Sequence, residues 1–274
     1  MKAEVKSNKT KKTKRPVNKK VQKSTKKQGL AKKKNVKRRR AIAVFVLILI
    51  LFAIIALILL SDLFNIKQIT VINNSKVSTS EIIEKSTLSV GDNMFKTFKS
   101  KIKNGIKTNP YIENVKVTKK LNGEIILDVE ERTCTYMLQM ENQYAYINNQ
   151  GYILEISSQP LQMPVIRGYS TQEVVPGNRL EVDDLKKLDI IIQIMETAKN
   201  NGIRDIITGI DISDVNNFIL DIPSEGKTVQ FGDETNINVK ILWIVDLINR
   251  EKGIEGEIIV NVPDIKKVYF REKV

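Results

Sequence analysis

The sequence predicts an α+β chain in four parts. These are a disordered basic tail over 1–40, one transmembrane helix over 41–61, a β-α-α-β-β domain over 62–132, and a second mixed β-sheet domain with two long helices over 133–274. Three observations predict it. Residues 1–40 hold 19 of the 45 basic residues and a single acid, Glu4. The stretch 41–61, AIAVFVLILILFAIIALILLS, has no charge, Pro or Gly. Beyond it, runs of period two alternate with runs of period 3.6, the signatures of strand and helix.

The tail is Lys, Thr, Asn, Gln and Ser with few bulky apolar residues. Such a segment buries too little surface to offset its ordering entropy, so it is expected to be disordered. The densest block, Lys32, Lys33, Lys34, Lys37, Arg38, Arg39 and Arg40, abuts the apolar run. That position marks these residues for an anionic membrane surface, where each contributes about 1 kcal/mol. A nucleic-acid arm is the alternative. The tail has no aromatic side chain to stack on bases, and no specific nucleic acid is expected as a partner.

Twenty-one helical residues span about 30 Å, the thickness of a bilayer's hydrocarbon. A signal peptide has a shorter apolar region and a small-residue cleavage site; Asp62, Leu63, Phe64 and Asn65 supply none. A buried core helix is rarely apolar on every face for six turns. Positive flanks stay cytoplasmic, so the N-terminus is expected inside and the remainder outside the membrane. That remainder carries 26 basic and 30 acidic residues, so the net charge of +14 arises in the tail. Its lone cysteine, Cys134, excludes an intrachain disulfide.

The first outer domain opens with a strand over 64–73. Ser78 or Thr79 caps a helix that runs to about Leu88. A second helix is expected over 95–107, with Phe95, Phe98, Ile102 and Ile106 on its apolar face. Strands over 111–119 and 124–132 flank Asn122-Gly123, a strong hairpin signal. One sheet with both helices on one face is the economical packing.

In the second domain, short strands are expected over 135–140, 144–148 and 152–156. A long helix starts at Asp183 or Asp184, with Val182, Leu185, Leu188, Ile191, Ile192, Met195 and Ala198 in one stripe, and Gly202 ends it. Strands over 206–212, 217–222 and 227–231 follow. A helix over 236–250 turns Ile237, Ile241, Leu242, Val245 and Ile248 inward. The last strands lie over 256–262 and 268–270.

Catalytic constellations are sparse. With no histidine in the chain, Ser-His and Cys-His catalysis are excluded. Cys134 alone cannot form a thiolate zinc site, and no Walker-type phosphate loop occurs. The acid pairs Glu130-Glu131 and Asp183-Asp184 are sequence neighbours, whose side chains do not face each other. No enzyme activity, cofactor, metal or small-molecule substrate is expected.

In order, the chain reads F-x-I-x-x-I-x-V after the span, G-x-N-x-F between the helices, N-P-Y-I-x-x-V-x-V, and N-G-x-I-x-L-x-V-x-E-R. This series resembles a POTRA domain, and the single-span layout around it resembles the FtsQ/DivIB family of bacterial division proteins. Further on, YINNQGYIL and MPVIRG resemble two family turns, with Asn148 where the family usually has Asp. Lys240-Ile241 fits a family step after Gln230-Phe231-Gly232, and Asn261 stands where the family usually has Arg. The resemblance implies a non-catalytic divisome scaffold enriched at the septum, with FtsB/DivIC-like and FtsL-like membrane proteins as partners. A POTRA protein of a secretion system is the other reading. The last strand, carrying Lys267, Val268, Tyr269, Phe270 and Arg271, is expected to form an exposed edge that accepts a partner strand.

Overall fold

A computed structural model describes residues 19–273, with side chains from Lys37 onward. Helix α1 runs Lys19–Leu59. Its stretch Lys37–Leu59 is long and apolar enough to cross a membrane, with a mean hydropathy of 3.6. Where composition predicts a disordered tail, the helix continues back through the basic block to Lys19. Lengthening an existing helix costs far less than nucleating one, and Lys is a good helix former. The expectation for residues 1–18 falls outside the described residues.

The first sheet has three strands, β1 (Gln68–Ile72), β2 (Ile112–Lys119) and β3 (Glu124–Glu131), in the order β1-β3-β2. β3 pairs parallel with β1 and antiparallel with β2. Helices α2 (Thr79–Ser86) and α3 (Lys99–Ile106) join it through a core that includes Ile82, Ile102, Ile106, Val115, Val117, Ile125, Leu127 and Val129. Ser78 is the N-cap of α2, its hydroxyl accepting the Glu81 amide. The two helices approach so closely that a Cβ on Gly105 would lie 2.2 Å from the Lys85 carbonyl oxygen, so glycine alone fits there.

α3 is shorter than its apolar spacing predicts, because residues 94–97 form turns. The Asn93 side chain accepts the Phe95 amide at 3.0 Å, and the Thr97 hydroxyl donates to the Met94 carbonyl at 2.9 Å. The Lys119 ammonium donates to the Met94 and Thr97 carbonyls, 2.5 Å each. Ile102 and Ile106 are buried as expected, while Phe95 and Phe98 are exposed.

The second sheet has nine strands. In chain order they are β4 (Tyr136–Gln139), β5 (Tyr144–Ile147), β6 (Ile153–Ser157), β7 (Val165–Arg167), β8 (Gly209–Asp211), β9 (Phe218–Ile222), β10 (Lys227–Gly232), β11 (Gly256–Ile259) and β12 (Tyr269–Glu272). Across the sheet the order is β12-β11-β10-β9-β8-β7-β4-β5-β6. One register row crosses all nine: Phe270, Ile258, Val229, Leu220, Ile210, Ile166, Leu138, Ala145 and Ile156. This row joins the core that also holds α4 (Val182–Asn200) and α5 (Ile237–Arg250).

Several boundaries differ from the periodicity. Arg204–Ile206 forms a 3-10 turn, so β8 starts at Gly209. On α5 the buried residues are Lys240, Ile241, Ile244, Leu247 and Ile248, whereas Leu242 is 57% exposed. On α4, Ile190 and Ile194 are buried in addition to the expected stripe, and Val182 is exposed. Asn148 builds its turn as Asp would, its side-chain oxygen accepting the Gln150 and Tyr152 amides at 3.1 and 2.8 Å.

The two sheets meet through specific contacts. Leu154 of β6 is buried in the core of the first sheet. The Tyr111 hydroxyl donates to Glu155 at 2.6 Å, and Lys76 pairs with the same carboxylate at 3.2 Å. Burial, then the bond to Glu155, pushes the Tyr111 hydroxyl's pKa up. The Arg132 guanidinium lies 4.2 Å from the Tyr152 ring centroid and donates to the Pro110 and Ile112 carbonyls. Neither hydrophobic core includes a residue before Ile66, apart from Phe64 packed at the margin.

Asp184, in the first turn of α4, is 1% exposed. Its carboxylate accepts the Ser170 and Thr171 amides and both hydroxyls at 2.6–3.0 Å. Burial alone would raise its pKa. The hydrogen bonds from Thr171 and Ser170 overcome that and hold it below 3.8. A lowered folded value stabilises the fold fully above the unfolded value, and the contribution fades as pH falls through the folded one. Asp184→Asn is expected to lower stability by about 3 kcal/mol at neutral pH. Urea titrations at a series of pH values should show the gap between wild type and variant closing below pH 3.8.

Candidate functional site

The site is built outward from β11. Gly256 of β11 pairs with Glu272, Glu257 with Arg271, Ile258 with Phe270, and Ile259 with Tyr269. Phe270 turns toward the core and Tyr269, 49% exposed, turns away. Gly256 makes room for this strand, since a Cβ there would lie 2.3 Å from the Arg271 carbonyl oxygen and 2.5 Å from the Phe270 ring. Arg271 is paired with Glu257 across the two strands. Beyond β12 no further strand is paired among the described residues.

The Lys273 amide donates to the Glu255 carbonyl at 2.9 Å. In an antiparallel pair, alternate residues exchange both backbone bonds. Lys273, Arg271 and Tyr269 therefore bond inward to β11, while the backbone groups of Phe270 and Glu272 point outward from the sheet. These outward groups are the raw material of strand addition.

The structure corrects the span of this edge. Lys267 closes a 3-10 turn, Ile265–Lys267, and Val268 leads out of it, so the strand starts at Tyr269 and extends to Glu272. The Asp264 side chain accepts the Lys266 amide at 3.1 Å, and its carbonyl accepts the Lys267 amide at 2.8 Å. Those two bonds hold 264–267 in a turn. Val268 packs against the core rather than lining the edge.

Behind the edge lies Lys227, 3% exposed. Its ammonium donates to the Glu225, Glu251 and Ile254 carbonyls at 3.0, 2.9 and 3.1 Å, and lies 5.6 Å from the Phe270 ring centroid. Glu251 caps the C-terminus of α5, where the helix dipole favours a cation. One cation thus ties the end of α5, the turn before β10 and the aromatic of β12 together. Sequence reading missed Lys227; a lysine in an apolar strand between Gly226 and Val229 was the available signal.

The family step after β10 is also ordered by a buried lysine. The Lys240 ammonium donates to the Asp233 carbonyl at 2.9 Å and carboxylate at 3.1 Å, and lies 5.0 Å from the Phe231 ring centroid. The Thr235 hydroxyl, followed by Lys240, holds the Asp233 carboxyl down at about 2. Asn261 bonds the Asn217 side chain at 2.8 Å. A hollow of about 1010 Å³ opens beside strands β4, β7, β8 and β9 and the Arg167–Asp221 ion pair, 2.5 Å long. No cluster of three or more His, Cys, Asp or Glu that could hold a metal occurs among the described residues.

The expected membrane-surface residues Lys37, Arg38, Arg39 and Arg40 are exposed on α1 at the head of its apolar stretch. Lys32, Lys33 and Lys34 lie on the same helix, with side chains outside the described residues.

Residues 64–132 match the family model of the FtsQ-type POTRA domain. The chain is 30% identical over 202 residues to a cell division protein DivIB of Clostridium acetobutylicum, covering 73% of this chain and 79% of that one. The chain belongs to the FtsQ/DivIB family. A DivIB of Clostridium botulinum is 29% identical over 221 residues, covering 79% of this chain and 85% of the relative. A cell division protein FtsQ of Syntrophotalea carbinolica is 23% identical over 176 residues, covering 64% and 62%. Membership gives the β-α-α-β-β unit its family identity and assigns the protein to cell division.

Removing the buried cation takes its donor from the Glu225 and Ile254 carbonyls and leaves the Glu251 carbonyl with the Ile254 amide alone. Lys227→Met is expected to cost about 2–4 kcal/mol in urea denaturation. Hydrogen exchange should quicken first in β11 and β12, ahead of β9.

Proposed function

We propose that this FtsQ/DivIB protein is a non-catalytic, single-span scaffold of the divisome that links septal membrane proteins of the FtsB/DivIC and FtsL types. The basic block inside and the outer domains outside are the orientation its flanks favour. Anchoring confines partners to two dimensions and raises their effective concentration, which is how a protein without reactive groups promotes assembly. We place the domain boundaries at 62–132 for the POTRA domain and 133–274 for the β domain. The first takes part in recruitment to the septum and the second docks the partners.

The observation that carries this reading is the open edge of β12. Phe270 is anchored in the core and held beside Lys227, so the strand is pre-ordered. Pre-ordering removes part of the entropy cost of accepting another strand. Tyr269 and Arg271 offer side chains on one face, while the outward backbone groups supply affinity. Lys267 and Val268 set the entry angle of the strand.

Because Phe270 belongs to the core, the informative changes are Tyr269→Ala and Glu272→Pro. The second removes one outward donor and leaves the β11 ladder intact, a placement that edge strands tolerate. Each is expected to weaken binding to the DivIC-like partner about tenfold, measured by titration calorimetry on the purified outer region. Unchanged affinity in both variants removes the edge from the mechanism.

Orientation and site are tested in cells. Protease added to wall-stripped cells is expected to digest the region beyond residue 63 and to spare the tail. A fluorescent fusion is expected as a midcell band, whereas an even rim favours the secretion reading.

A further inference from the structure

The linker between α1 and the POTRA domain is short. Four residues separate Leu59, the last of α1, from Phe64. A chain advances at most about 3.6 Å per residue, so Phe64 stays within about 18 Å of the helix end. The end of the domain that holds Phe64 is therefore confined near the bilayer whenever α1 spans it.

Three segments far apart in sequence converge at that end. The Phe64 ring meets the Phe95 ring edge-on at 5.1 Å, and the Phe64 carbonyl accepts the Met94 amide at 3.0 Å. The Asp92 carbonyl accepts the Ile66 amide, and the Ile66 carbonyl accepts the Gly91 amide, which pins the 89–94 loop beside the entering chain. The Gly123 carbonyl accepts the Lys67 and Gln68 amides, which brings the β2–β3 hairpin tip alongside. The outermost side chains of these segments are apolar: Phe98 is 69% exposed, Val90 66%, Leu121 75% and Phe95 41%. Isolated exposed apolar residues are ordinary, but several at one end of a small domain mark a contact surface.

Lysines outnumber acids at this end, where Asp62 and Asp92 are also exposed. Lys67, Lys96, Lys99 and Lys101 are all exposed around the apolar group. Lys99 and Lys101 occupy the first turn of α3, which holds no acid. Cations are unfavourable at a helix N-terminus, so the fold itself gains nothing from them there. The nearby Asp92 carboxylate accepts the Ser89 amide at 3.0 Å, and Glu124 is paired with Lys120. An apolar tip ringed by lysines fits the boundary between acyl chains and anionic headgroups, where aromatics enter the hydrocarbon margin and ammonium groups meet phosphates.

We propose that this end of the POTRA domain, formed by Phe95, Phe98, Val90 and Leu121 within a lysine rim, docks on the anionic surface of the membrane that α1 crosses. Docking fixes the tilt of the outer region and so the height and direction at which β12 is presented. The inference rests on the membrane-anchored reading but is independent of the edge strand.

The test uses the full chain in nanodiscs of phosphatidylcholine alone or with one-third phosphatidylglycerol, with amide exchange followed by mass spectrometry. Co-elution of chain and disc reads the anchor separately from the surface. Amides over 89–98 are expected to exchange roughly tenfold more slowly on the anionic discs. That difference should vanish in the triple variant Lys96→Glu, Lys99→Glu, Lys101→Glu and separately in Phe98→Ser, with exchange in β3 unchanged as the check on folding. Equal exchange in the two lipids despite co-elution overturns the proposal. So does a lipid difference that survives charge reversal, or capture of a protein on this face with no dependence on lipid.

Discussion

The nine-stranded sheet depends on a single row of side chains that crosses every strand. From Phe270 at one edge to Ile156 at the other, the row is apolar throughout, and its seven interior members are at most 1% exposed. Because side chains alternate along a strand, a slip of one residue in any strand would turn its member of the row to the opposite face. The row thus locks the register of every strand at once, and α4 and α5 can pack against it only in that register. Phe270 is the last member, which is why a terminal strand of four residues stays in place.

Buried charge is placed where this packing leaves backbone unsatisfied. Lys227 and Lys240 each lie under an aromatic ring and each donate to backbone carbonyls, one at the end of α5 and one just before its start. Asp184 does the reverse at the start of α4, gathering amides and hydroxyls of the preceding loop. Burying an ion is costly unless its partners are complete. Backbone carbonyls supply them for Lys227, while Lys240 and Asp184 add the Asp233 carboxylate and the Ser170 and Thr171 hydroxyls. These three residues pin both helices of the second sheet, and one of them also supports the edge proposed to receive a partner.

The joint between the two sheets supplies the rigid placement that the proposed scaffold role calls for. Leu154 enters the neighbouring core, while Tyr111 and Lys76 share the Glu155 carboxylate. A surface ion pair alone would hold little. Combined with a buried aliphatic residue and a guanidinium laid on Tyr152, it fixes the first sheet against β6. Of the nine-stranded sheet's two edges, β6 is covered by the first sheet and by backbone bonds to residues 177–178, and β12 pairs with no further strand among the described residues.

The amino-acid order by itself determined the apolar span, the β-α-α-β-β unit with its Asn122-Gly123 turn, the long helices and the family. Each is written in local periodicity, capping residues or turn chemistry, which act over a few residues. It also pointed to the last strand and to Tyr269 and Phe270. Tertiary structure alone decided which of those two is anchor and which is surface, because the choice depends on the register with β11 and on the space that Gly256 leaves. It likewise decided that Phe95 and Phe98 lie outside α3, since Lys119, on a strand more than twenty residues away, takes the Met94 and Thr97 carbonyls. On α5 the face that meets the core carries Lys240, Ile241, Ile244, Leu247 and Ile248, and Leu242 falls outside it.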